Sequence, residues 1–264
     1  LRSFLSVLGV VFGVMAVMTI ICVGQGAKQE ALRQVEQLGT RNIYLKKMEL
    51  NPEQRSGAKG NDAGLHQADV ERLERSGSPI RQAACLKELS VPVIGAGRQL
   101  TPQVAACSAN YAALLGLKIA AGRCIRQQDI DRHQMICVLG GDVAERLAQD
   151  GRLQNRLRIG SQMFTIVGHL DRLDFNDAAQ GSVSVRNHNE MILLPMGAQH
   201  WLPRAKAAGR QADAAETGTG LCEIIVEITD SSQVMGSVPI IRHMLEGHSG
   251  ISDYQMVVPL ELLH

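Results

Sequence analysis

The chain has 264 residues, with 27 Lys and Arg against 26 Asp and Glu, for a formal net charge of +1. That balance gives no electrostatic footprint for nucleic acid, so nucleic acid is excluded as an expected partner. An apolar content of 45% suits a folded chain with one or two cores, and 3% aromatics means that Val, Ile, Leu, Met and Ala must fill them.

The first element is an apolar run. From Phe4 to Val23 no residue is charged, and a helix of that length, at about 1.5 Å per residue, spans the roughly 30 Å hydrocarbon core of a bilayer. A cleaved signal would be shorter and would end in a small-x-small site. Here "GQGAKQEALRQ" continues the helical pattern instead. Residues 1–23 are therefore read as a retained transmembrane helix, ahead of an uncleaved signal or a buried core helix. Gly9 and Gly13 stand four apart and would let a second helix approach closely. Positive-inside counting is ambiguous, with Arg2 before the span and Lys28 and Arg33 after it.

Residues 24–40 read as a stalk helix. Ala27, Ala31, Leu32, Val35 and Leu38 form an apolar stripe at helical spacing, and Gly39 is a natural stop. Such a stalk either passes movement between membrane and folded part or packs on its own domain. Periodicity fits both.

Strands and helices then alternate. "NIYLKK" reads as a strand, residues 48–64 as a polar loop, and "HQADVERLERSG" as a helix with Val70 and Leu73 inward. "QAACLKELSVPV" and "RQLTPQVAACS" read as strands around a turn at "GAG". "MICVLGGDVAERLAQDG" is strand, Gly pair, helix; "LRIGSQMFTIVGHL" is a hairpin turning near Gly160; "EMILLPM" is a further strand. Residues 206–220 carry few large apolar side chains and read as a linker. The terminal segment is strand, helix, strand, with Val234, Val238, Ile241 and Leu245 inward and Pro239 delaying or kinking the helix.

Motifs that carry chemistry are few. The eight His include no HExxH, and His243 and His248 do not share a helix face. There is no GxSxG for an activated Ser and no GxxxxGK[ST] to grip ATP phosphates. Gly140 and Gly141 could cradle a phosphate, but Asp142 would repel it and is suited to capping the helix. Asp129 and Asp131 read as solvated loop residues. No catalytic residue, metal site or cofactor is expected, and the chain is not expected to be an enzyme.

Five stretches together carry a resemblance: "LRSFLSVLGVVFGVMAV", "GQGAKQEALRQVEQLGTRNI", "LGLKIAAGRCIRQQDIDRHQMICVLGGDVAERL", "RIGSQMFTIVG" and "DYQMVVPLELL". In that order, over nearly the whole chain, they resemble the MacB-like permeases of type VII ABC transporter systems. The resemblance implies an α+β fold: an N-terminal transmembrane helix, then a porter-like subdomain of βαβ units with an inserted, mainly β, sabre-like subdomain. By position, the porter-like parts fall at 41–110 and 221–264, the latter approaching a second transmembrane helix beyond His264. The sabre-like part falls at 111–205. Ala106 stands where the family pattern usually has Gly. The implied partners are a cytoplasmic ABC ATPase subunit, a second permease copy, a periplasmic adaptor protein and the lipid bilayer. The implied location is the bacterial inner membrane, with residues after about 24 in the periplasm.

Six cysteines occur, five of them outside the apolar run, with no CxxC. In an oxidising periplasm, Cys85 could bridge Cys107 and Cys124 could bridge Cys137, although buried free thiols are the ordinary state. The leading functional expectation is a non-catalytic permease subunit for efflux, export or lipoprotein release. The alternatives are a single-pass anchored periplasmic binding or signalling module without an ATPase and, last, a secreted enzyme.

Overall fold

The computed structural model describes residues 9, 12–25, 41–48, 64–95, 97–149, 152–153, 155–173, 186–202, 220–246 and 254–259. Contacts divide the chain into a unit of Leu1–Thr40 with Pro259–His264 and a unit of Arg41–Val258. In the first, residues 12–25 are helical and Phe12, Met18, Ile20 and Val23 are exposed. Among the described residues no helix is long and apolar enough to cross a membrane. The described helical stretch covers only the later part of the apolar run, and the stalk residues Ala27, Ala31, Leu32, Val35 and Leu38 lie outside the described residues.

The second unit is built on strands β1 (Asn42–Lys47), β2 (Ile80–Leu89), β3 (Val93–Gly95), β4 (Arg98–Leu100), β5 (Gln103–Cys107), β6 (Ile119–Gly122) and β7 (Ile136–Leu139), followed by β8 (Ala148–Gln149), β9 (Arg152–Leu153), β10 (Arg156–Ile159), β11 (Gln162–Leu170), β12 (Met191–Pro195), β13 (Glu223–Ile228) and β14 (Tyr254–Val257). Its helices are α1 (Gln67–Arg75), α2 (Tyr111–Leu114), α3 (Gln127–Asp131), α4 (Gly141–Leu147) and α5 (Val234–Glu246). One sheet runs β14-β1-β13-β2-β5-β12-β7-β11-β10-β3-β4, with β6 on β11 and β8–β9 apart. It crosses the boundary expected at 110/111: β5 pairs in parallel with β12, and β3 pairs with β10. No break in strand pairing marks that boundary.

Residue types explain the two faces. Side chains alternate along a strand, and β1, β2, β5, β12 and β13 are buried on both sides, so Ile, Val, Leu and Ala recur without alternation. On one face Tyr44, Ala84, Leu86, Ala105, Cys107, Val138, Leu193 and Ile225 form a core under Tyr111 of α2. On the other, α1 packs on β2 and against α5, and Leu73 and Ile241 of these helices are fully buried. The α1 start is fixed by Asp69, which accepts the His66 backbone N–H at 2.8 Å. Val70, Leu73, Val234, Ile241 and Leu245 are buried as expected, and Val238 is half-buried.

Two expectations need correcting. Helix α5 does not start late. A 3-10 turn, Ser231–Gln233, leads into Val234, and the helix continues through Pro239. The carbonyl that Pro239 leaves unpaired belongs to exposed Met235, where solvent can satisfy it. Asp142 does not cap α4: Gly140 is the N-cap, and the Asp142 carboxylate instead pairs with Arg172 Nε at 3.1 Å.

Candidate functional site: the charged ties of the outer strands

β1 and β14 are antiparallel neighbours at one edge of the sheet, with Tyr44 opposite Val257. Arg41, which enters β1, and Val258, which leaves β14, therefore lie at the same end of that edge. β1 also pairs with β13 from Asn42–Glu227 to Lys46–Glu223. The strand that follows the apolar N-terminal segment is thus hydrogen-bonded on both sides.

Polar side chains gather at the two ends of this strand group. At one end, Glu227 accepts from Arg41 at 3.2 Å, Arg81 at 3.1 Å and Gln82 at 2.7 Å. The Ile228 backbone N–H donates to the Arg41 carbonyl at 2.9 Å. The first residue of the folded unit is therefore tied through β13 to β2. At the other end, Arg186 donates to Glu223 at 2.8 Å and pairs with Glu88. Burial opposes the Arg186 charge, but the Glu223 and Glu88 carboxylates outweigh it and hold the guanidinium pKa raised.

His188, two residues on, meets the Tyr111 hydroxyl through Nε2 at 3.2 Å in a buried contact. Burial, then the Arg186 charge, pushes its pKa down to about 4. Burial raises the Tyr111 phenol well above its ordinary value and pushes Tyr44 up to about 12. These groups keep fixed protonation near neutrality and serve to position segments.

Gly140 and Gly141 owe their identity to close packing. A Cβ on Gly140 would stand 2.2 Å from the His188 carbonyl oxygen, and one on Gly141 would stand 3.0 Å from Arg172 Cα. No bound phosphate is needed to account for them. Asp129 also departs from expectation. It is 3% exposed and makes a two-point contact with Arg123 at 2.6 and 3.0 Å. Arg123 and the Arg126 backbone N–H hold its carboxyl below the usual range against the effect of burial. Sequence reasoning missed it because Arg123 precedes it by six residues, off any helical spacing.

The predicted site residues are partly placed. Gly9 and Gly13 are helical, with open space where a Cβ would stand. All six cysteines carry free thiols. Neither expected bridge is present, and each of the four cysteines named for them is a free thiol. Leu86 pairs with Cys107, so Cys85, one residue off, points to the opposite face and lies near Glu74 of α1. Cys124 shares a cleft with Val138, so neighbouring Cys137 points away from it through β7. Among the described residues no group of three or more His, Cys, Asp or Glu is placed to hold a metal.

The class this fold defines is a mixed α/β domain whose first and last strands pair at one sheet edge. The sequence profile of the MacB-like periplasmic core domain matches residues 3–235, and the chain belongs to this family of ABC transporter permeases. It is 25% identical over 264 residues to the macrolide export ATP-binding/permease protein MacB of Hahella chejuensis, covering 96% of this chain and 36% of that protein. It is 22% identical over 219 residues to the probable syringafactin export ATP-binding/permease protein SyfD of Pseudomonas syringae pv. tomato, covering 80% and 29%. The chain thus spans about a third of the length of the curated relatives it matches. In fold it is similar to the periplasmic region of MacB from Actinobacillus actinomycetemcomitans, with a TM-score of 0.64 at 15% identity over 89% of this chain and 96% of that one. It is also similar to the extracellular domain of the noncanonic ABC-type transporter YknZ from Gram-positive bacteria, with a TM-score of 0.59 at 13% identity over 82% and 99%.

Proposed function

We propose that this chain is the first membrane helix and extracytoplasmic core of a permease that converts ATP hydrolysis, performed by an ABC ATPase, into movement of the domain outside the membrane. The observation that carries this reading is the pairing of β1 with β14 at one edge, where the chain enters and leaves the folded unit. A displacement delivered along residues 24–40 would reach Arg41 first and pass through Glu227 to β13 and β2. The exposed apolar side chains of residues 12–23 support placement in lipid. The porter-like and sabre-like subdomains would open and close against a second permease copy, with a periplasmic adaptor completing an export path across the inner membrane and periplasm. The export functions in the relatives' names favour efflux or export over lipoprotein release.

The test is reconstitution of the complete transporter in vesicles. ATP-dependent accumulation of an exported compound should require this chain as well as the ATPase. Equal accumulation from vesicles lacking this chain would remove the proposal.

A further inference from the structure

A cysteine pairing different from those expected from sequence order lines one cleft. Cys107, the last residue of β5, and Cys124, two residues past β6, line one small cleft together with Ser108, Ala112, Val138 and Leu193. We propose that Cys107 and Cys124 form a disulfide when the folded chain meets a disulfide oxidant, tying the centre of the sheet to the segment between β6 and α3.

Three observations hold the two thiols in place. Leu86 opposite Cys107 fixes the latter on the face that carries α2. The segment after β6 is drawn over that face by Ile125, which is buried in the same core. It is pinned there by the Arg123 backbone N–H, which donates to the Val167 carbonyl at 3.0 Å. The lining is otherwise apolar or small, so no charged group competes for either sulfur.

Exposure sets the order of events. Cys107 is 2% exposed and Cys124 is half-buried, so exchange begins at Cys124. Its thiolate attacks one sulfur of oxidised glutathione, and the first glutathione leaves as a thiolate that takes up a proton. The Cys107 thiolate, its proton lost to solvent, then attacks the Cys124 sulfur of the mixed disulfide and releases the second glutathione. Two protein thiols are oxidised and one disulfide is reduced to two thiols. Burial raises both thiol pKa values, so the reaction is slow at neutral pH and faster in mild alkali. Formation in the cell rests on the extracytoplasmic placement proposed above; the chemistry in vitro does not.

The full chain, purified reduced in detergent, is exposed to oxidised glutathione, alkylated in denaturant and digested with trypsin. Cleavage after Arg98, Lys118, Arg123 and Arg126 leaves Cys107 in residues 99–118 and Cys124 in residues 124–126. The expected product is these two peptides joined, with loss of two of the six thiols. Cys124→Ser, at a half-buried position, should abolish that product and leave Cys107 alkylated. Six alkylated thiols after oxidation, or a bridge from either residue to Cys85 or Cys137, would overturn the proposal whether or not the chain transports anything.

Discussion

Arg186 Nε donates to the Glu223 carboxylate at 2.8 Å, joining the segment that leads into β12 to the first residue of β13. The Glu223 side chain is only 4% exposed, so Arg186 stands in for the water its carboxylate has lost. Removing one member of a buried ion pair leaves the other charge desolvated, which costs more than the pair itself contributes. Arg186→Ala should therefore destabilise the folded unit by about 3 kcal/mol. The added change Glu223→Leu should recover much of that loss, because it removes the orphaned charge. Urea unfolding of both variants checks this, and equal stability of the single and double variants would contradict it.

Acid should weaken the fold in a defined window. The His188 pKa falls from 6.5 to about 4 on folding, so the unfolded chain takes up a proton that the folded chain does not. The stabilisation is complete above the unfolded value and is lost as pH falls towards 4, by on the order of 3 kcal/mol. Asp129, whose pKa is also lowered in the fold, acts in a more acidic range, from 3.8 downwards. His188→Gln keeps a polar group beside Tyr111 and should flatten the dependence between pH 6.5 and 4. Unfolding midpoints measured across that range report the difference, and an unchanged slope would count against the assignment.

Two glycines should respond in opposite ways to alanine. At Gly140 the new methyl would meet backbone oxygens of His188 and Asn189 at 2.2 and 2.4 Å, neither of which can rotate away. A loss of about 2 kcal/mol or more is expected. Gly236 in α5 has nothing within 4 Å, and alanine there should stabilise by about 0.5–1 kcal/mol. Thermal melts of Gly140→Ala and Gly236→Ala check the pair, and similar midpoints would show that close backbone approach is not what fixes Gly140.

What the sequence revealed follows from how local each signal is. The strand of Ile136–Leu139, the Gly pair and α4 could be read directly, as could the hairpin around Gly160, because periodicity and turn residues act over a few positions. Helix α2 has four residues, too few for a period, and was not foreseen. The Arg186 ties join positions 37 and 98 residues apart, and no spacing rule reaches that far. The orientation of the cysteines also depends on register. Chain order suggested which strands neighbour each other, but not the one-residue register that turns Cys85 and Cys107 to opposite faces. Glu227 was likewise invisible as a node, since its partners Arg41 and Arg81 come together only through β1 and β2.

The central claim is that motion enters the domain through the segment before β1. In the reconstituted transporter, the amount exported per ATP hydrolysed measures that coupling directly. Ala31→Pro interrupts the predicted stalk helix at a position outside the sequence of the folded unit, Arg41–Val258. Hydrolysis that continues while export falls at least about tenfold is the result expected from loss of a rigid connection. Export and hydrolysis both unchanged in the variant would contradict the account.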